Sequence, residues 1–299
     1  MAFTLRAAPG RSATFQVEPR IESGRGAPYG LDYNEVFVDP GSGAVLGRRF
    51  AGLPALDKRH LMPFLYRLHT SAMLPAAWSH VVFGAVALSL LWQAASGFYL
   101  TLPRPRLVPR RSTPLELHRV VGVWAAVLLV VIAITGLGLQ LGQPIVRPLM
   151  QKLFTLRPSV FDTRAVRAST DPPVSLADAI TSGEREASRH GWANPASSAV
   201  YLPALDLYGI RFHPPSHDDG EWGFGVPVLY FDGHSGEKAG EKVPRAGGAA
   251  DVFVDALFPI HSGLVGGTSG RCIVAIVGLA IVILGVTGVI AWRRRLTLG

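Results

Sequence analysis

The sequence predicts a membrane protein in which a bundle of three transmembrane α-helices carries an α+β extracytoplasmic domain. Three observations lead there. The stretches Trp78 to Leu102, Val120 to Leu141 and Cys272 to Trp292 are apolar and hold no Asp, Glu, Lys or Arg. Each has about 20 residues, enough at roughly 1.5 Å rise per residue to cross a hydrocarbon core about 30 Å thick. The arginines gather beside these spans, at Arg104, Arg106, Arg110, Arg111 and Arg119 and again at Arg293, Arg294 and Arg295, as cytoplasmic ends require. Between Gln143 and Pro259 lies a segment too long for a bare loop, with helical and strand patterns of its own.

Composition agrees. The chain of 299 residues is 48% hydrophobic, with a mean hydropathy of +0.29. Its net charge of +8 is concentrated next to the spans, which argues for lipid contact and against nucleic acid as the partner. A single cysteine, Cys272, excludes an intrachain disulfide and any multi-cysteine zinc or iron–sulfur site.

In chain order, residues 1–30 are polar and contain no stretch resembling a signal peptide. Glu35 to Gly43 (EVFVDPGSG) reads as a strand, an Asp and a Gly-rich turn, and Val228 to Gly236 (VLYFDGHSG) repeats it. From Asp39 to His69 is 30 residues and from Asp232 to His261 is 29; from His69 to Gly97 is 28 and from His261 to Gly288 is 27. These spacings describe an internal duplication with an offset of about 193 residues. By its logic, residues 1–60 are the remnant of a first extracytoplasmic unit, and the helix equivalent to the 118–142 span is expected before residue 1. The remaining divisions are 61–102, an outer helix and the first span; 103–117, a basic cytoplasmic loop; 118–142, the second span; 143–260, the main domain; and 261–299, the third span and basic tail. Within the main domain Leu176 to His190 reads as an amphipathic helix with Ser175 as N-cap, and Ser198 to Leu202, Leu207 to Phe212 and Phe224 to Phe231 read as strands.

Each span carries a small pair near its far end, Ser96-Gly97, Thr135-Gly136 and Thr287-Gly288, which reads as helix packing. Histidines follow an aliphatic residue at Leu68-His69, Leu117-His118 and Ile260-His261. This ordered set of histidine heads, strand-Asp-turn elements (VFVDPGSG, YFDGHSG) and [ST]G helix ends resembles the PepSY-associated transmembrane helix family over about residues 31–295. That resemblance implies a bacterial inner-membrane protein, multi-pass, with a PepSY-like domain in the periplasm. It also implies four helices, of which the first is absent here, and haem-dependent reduction of a ferric siderophore or iron chelate as the activity.

Neutral imidazole is a common axial ligand to haem iron. On this reading His69 and His261, equivalent in the duplication, hold one haem b on the outer side. His118 belongs to a second site on the cytoplasmic side, left incomplete unless a helix-supplying partner or a second copy completes it. Arg67 and Arg119 are candidates to pair with propionates or, equally, with lipid phosphate. The electron donor is cytoplasmic or a quinol. The competing readings are interfacial histidines, His80 above all, and an interfacial belt for Trp78, Trp92, Trp124 and Trp292. The competing function is a non-catalytic anchor whose extracytoplasmic domain binds or inhibits a partner. The cluster His213, His217, Asp218, Asp219 and Glu221 is a weaker candidate metal site, because Pro214-Pro215 breaks the helical geometry that would align it.

Overall fold

The computed structural model describes residues 1–19, 29–101, 107–108, 113–167, 169, 171–215 and 219–297. Two compact units emerge, one of residues 1–73 with 157–247, the other of residues 74–156 with 248–299.

The first unit is built on an eight-stranded antiparallel sheet. Its strands are β1 (Ala2–Thr4), β2 (Ala13–Gln16), β3 (Glu35–Val38), β4 (Val45–Arg49), β5 (Ala196–Leu202), β6 (Leu207–Phe212), β7 (Val228–Asp232) and β8 (Lys238–Lys242), in the order β4-β3-β2-β1-β5-β6-β7-β8. β1 and β5 meet at the centre through Ala2↔Val200, Phe3↔Ala199 and Thr4↔Ser198. Outward from that seam the two halves mirror each other, and the offset of the sequence repeat separates Glu35 from Val228 and Val45 from Lys238. Both hairpins turn on an aspartate. Asp39 Oδ1 accepts from the backbone of Gly41 and Ser42, and Asp232 Oδ1 accepts from His234 and Ser235. The two copies therefore share one sheet.

Helix α1 (Leu61–Ser71) follows the first half, and α5 (Val160–Thr163) and α6 (Leu176–Arg189) precede the second. The cap signal at Ser175 acts as read, its side chain accepting from the Asp178 N–H at 3.1 Å. Ala179, Gly183 and Ala187, four residues apart, form the buried stripe of α6 and pack on Ala199, Ile210, Phe212 and Leu229. Gly183, unfavourable for a helix interior, has a packing reason. A Cβ there would stand 3.1 Å from the Ile210 side chain, which would have to give by a few tenths of an ångström to admit alanine. The strand expected over Phe224 to Phe231 is shorter. A 3₁₀ turn at Glu221–Gly223, Gly225 at φ +88° and Pro227 keep its first half out of the ladder.

The second unit is helical. It contains α2 (Ala76–Thr101), α3 (Pro114–Gln140), a π-helical turn at Gly142–Val146, α4 (Arg147–Leu153), α7 (Ala249–Ser262) and α8 (Gly267–Thr297). Among the described residues three helices, α2, α3 and α8, are long and apolar enough to span a membrane. Ala94, Ala125, Leu129, Val277 and Ala280 form their common core, while large apolar side chains such as Val86, Val127, Ile276 and Val282 stay exposed, as lipid-facing surfaces do. Helix α3 starts at Pro114, four residues before the 118–142 span expected from the sequence. Thr113 caps the Glu116 N–H, and Pro114 occupies the first helical position, where its missing N–H costs nothing. His118 therefore sits in the second turn of the helix, one turn inside its mouth. Trp78, Trp92, Trp124 and Trp292 are all exposed.

Candidate functional site

Two of the small pairs and two of the histidines of the helical unit pack on one another. His118 of α3 lays its ring on the Thr287-Gly288 pair of α8. Its Nδ1 is 3.1 Å from the Leu284 carbonyl and 3.1 Å from Thr287 Oγ1. His261 of α7 does the same on the Thr135-Gly136 pair of α3, with Nδ1 3.2 Å from the Ile132 carbonyl and 3.1 Å from Thr135 Oγ1. In each seat the carbonyl belongs to the residue three before the threonine.

The chemistry of the acceptors decides the tautomer. A backbone carbonyl only accepts, so Nδ1 carries the hydrogen. Each threonine commits its own hydroxyl hydrogen to the helix, to Val131 O at 2.7 Å for Thr135 and to Ile283 O at 2.6 Å for Thr287, and so offers Oγ1 to the imidazole as a second acceptor. In its neutral form each imidazole then carries its hydrogen on Nδ1. This is the arrangement by which proteins fix a ligating histidine, the outer hydrogen bond setting the ring's tautomer and orientation. Glycine makes the seat shallow enough. A Cβ on Gly136 would stand 3.0 Å from His261 Cε1, and one on Gly288 3.4 Å from His118 Cε1.

The two seats lie near opposite ends of α3, since His118 and Thr135 are 17 positions apart, about 26 Å of helix rise. A model of the PepSY-associated TM region matches residues 2–295 of this chain. The chain belongs to the PepSY-associated TM family. No curated protein matches it at a comparable level. For a family membrane protein of three apolar helices, paired seats at the two ends of one span put the histidines at two different depths.

Other residues singled out in this family member have local explanations. His69 lies in the last turn of α1, in the sheet unit, and is exposed. The Arg67 side chain, on the same helix, runs across Gly52, where any Cβ would collide with it. Arg119 reaches Glu116 at 3.5 Å. His80 Nδ1 is 3.4 Å from Gln140 Nε2, which also donates to Ser79 Oγ at 2.9 Å, a polar tie between α2 and α3. His213 is buried in the sheet unit, with Nδ1 2.9 Å from the Pro214 carbonyl and Nε2 3.3 Å from Ser198 Oγ. Glu221 pairs with Arg245 at 2.9 Å, and no metal-binding group forms among the described residues. His217, Asp218 and the loop arginines Arg104, Arg106, Arg110 and Arg111 lie outside the described residues. Sequence reasoning passed over Thr135 and Thr287, although the [ST]G pairs flagged both positions as packing sites.

Proposed function

We propose that this chain is a haem b electron-transfer protein of the bacterial inner membrane that reduces a ferric siderophore or ferric iron on the periplasmic side. The observation that carries the reading is the repeated seat. Two imidazoles in the helical unit each have Nδ1 tied to a carbonyl and a threonine, the kind of outer hydrogen bonding by which proteins orient a ligating histidine. The donor chemistry fits haem, which when bound supplies a one-electron iron couple. His261 and His118 would hold it, each oriented by its threonine and carbonyl. His69, by its place in the duplication, is the second ligand candidate for the site of His261, and Arg67 and Arg119 are candidates for the propionates.

Sidedness follows from the arginines at the end of α8 (Arg293, Arg294) and from Arg119, which the positive-inside rule assigns to the cytoplasm. His118 is then near the cytoplasmic donor, whether a reductase or a quinol, and His261 near the periplasmic acceptor. A third seat of the same form, Ser96-Gly97 on α2, has Ser96 Oγ back-bonded to Gln93 O at 3.2 Å, and a Cβ on Gly97 would meet nothing within 4 Å among the described residues. It suits a histidine-headed helix from a second copy or a partner chain.

The test is a pair of variants, His118→Ala and His261→Ala, in the detergent-purified protein. Each should remove or convert a low-spin b-type signal in the reduced-minus-oxidised spectrum, while His80→Ala leaves it unchanged. The non-catalytic anchor is favoured instead if both variants lower helix stability and the parent carries no such signal, the seats then serving only to clamp α3 to α7 and α8.

A further inference from the structure

The sheet of the first unit has an apolar face and a polar one, and the polar one is unused by anything above. Phe3, Ala199 and Ile210 stand on the face covered by α6. On the other face the register builds a different row. Thr4 pairs with Ser198 and Ser198 with Arg211, and the antiparallel pairing Phe3↔Phe15 sets Thr14 beside Thr4. Directly paired residues share a face, so three hydroxyls and a guanidinium line up across β2, β1, β5 and β6. A cleft of about 560 Å³ opens over this row, walled by Arg6, Arg11 and His213. Among its described lining residues there are three arginines and no carboxylate.

Arg6 is held in position, its Nε donating to the Ala196 carbonyl at 3.3 Å while Nη2 lies 3.9 Å from Glu184, a residue outside the cleft lining. Arg11 is exposed, on the turn between β1 and β2 where its N–H donates to the Ala8 carbonyl. The His213 ring is fixed with Nδ1 protonated, because its neighbour there is the Pro214 carbonyl; the Ser198 hydroxyl donates to Nε2. Guanidinium forks and threonine hydroxyls at several points around a space of this size match the oxygens of a small polyanion better than a single-point charge.

We infer that this cleft binds a small polyanion, with polycarboxylates the class its spread of arginines fits best. The site does not depend on the redox reading, since every residue in it belongs to the sheet unit.

The test is titration calorimetry of the full-length, detergent-purified protein with citrate and, separately, with inorganic phosphate. Citrate should bind with an affinity that falls as salt is raised, and Arg11→Ala and Arg211→Ala should each weaken it at least about tenfold. Arg11 is exposed on a turn, so its variant folds; Lys58→Ala, away from the cleft, should bind as the parent does. Tighter binding of phosphate than of citrate would overturn the polycarboxylate assignment. Absence of heat with either anion at millimolar concentration, or equal binding by parent and Arg11→Ala, would overturn the site itself.

Discussion

Gly136→Ala is the substitution that most sharply separates a built histidine seat from ordinary helix packing. The new Cβ would stand 3.0 Å from His261 Cε1 and 3.5 Å from Nδ1, so the ring must retreat by a few tenths of an ångström. The Nδ1 bonds it would strain, at 3.1 and 3.2 Å, already lie at the long end of the N–H···O range. Overpacking costs about 1–3 kcal/mol and each weakened hydrogen bond up to about 1 kcal/mol. Against this, alanine is favoured over glycine in a helix by about 1 kcal/mol. The net expectation is a loss of about 2 kcal/mol, the middle of a range of about 0–4 kcal/mol.

Gly288→Ala is the internal control. Its Cβ would meet His118 Cε1 at 3.4 Å, an ordinary contact, so the helix gain should cancel most of the cost. Gly285→Ala, whose Cβ meets nothing within 4 Å among the described residues, should be neutral or stabilising. Unfolding of the three variants by denaturant in mixed micelles, followed by circular dichroism, ranks them. Gly136→Ala as stable as Gly285→Ala would refute the claim that the ring is held against that glycine.

Three further predictions concern the sheet unit. Burial by itself raises the Asp232 carboxyl, but the Ser235 N–H, the Arg164 guanidinium at 2.6 Å and the His234 N–H outweigh it and hold the group well below the usual carboxylate range. A lowered folded-state pKa stabilises the fold above the unfolded value near 4, and that stability is lost as pH falls through the folded value. Thermal melts of the parent should therefore decline more steeply below about pH 5 than those of Asp232→Asn, which starts lower at neutral pH; parallel pH profiles would count against the pairing. Arg164→Ala also strips a donor from the Leu205 and Asp206 carbonyls and should cost about 2–4 kcal/mol in the same melts. Ser175→Ala removes the α6 cap and should speed hydrogen exchange in the first turn of that helix, by an amount worth about 1 kcal/mol; unchanged exchange there would mean that the cap contributes nothing.

How much of this was legible follows from which interactions are local. The three spans announce themselves because a run of about 20 uncharged residues has few other solutions, and Ser175 marked α6 because a cap acts within one turn. The early start of α3 was also local, written in Thr113-Pro114-x-Glu116, but the hydrophobic run drew attention away from it. The duplication showed in the spacing of Asp39, Asp232 and the histidines. Its consequence, that the first strand of the chain pairs with a strand of the second half across one seam, depends on the nonlocal match of Phe3 with Ala199, which no periodicity encodes. The histidine seats were half legible. His118, His261 and the [ST]G pairs each stood out, yet joining Thr287 to His118 rather than to a ring on its own helix is a matter of which helices pack together. The imidazole tautomer is set by that packing and has no sequence signature at all.

The account stands most directly on whether the protein carries haem. The measurement is an absorption spectrum of the full-length protein purified in detergent from haem-replete cells, air-oxidised and then dithionite-reduced, with haem quantified per chain by pyridine haemochrome. The account predicts a b-type reduced-minus-oxidised difference that His261→Ala diminishes. A colourless protein that keeps its helical content and its thermal transition would contradict it.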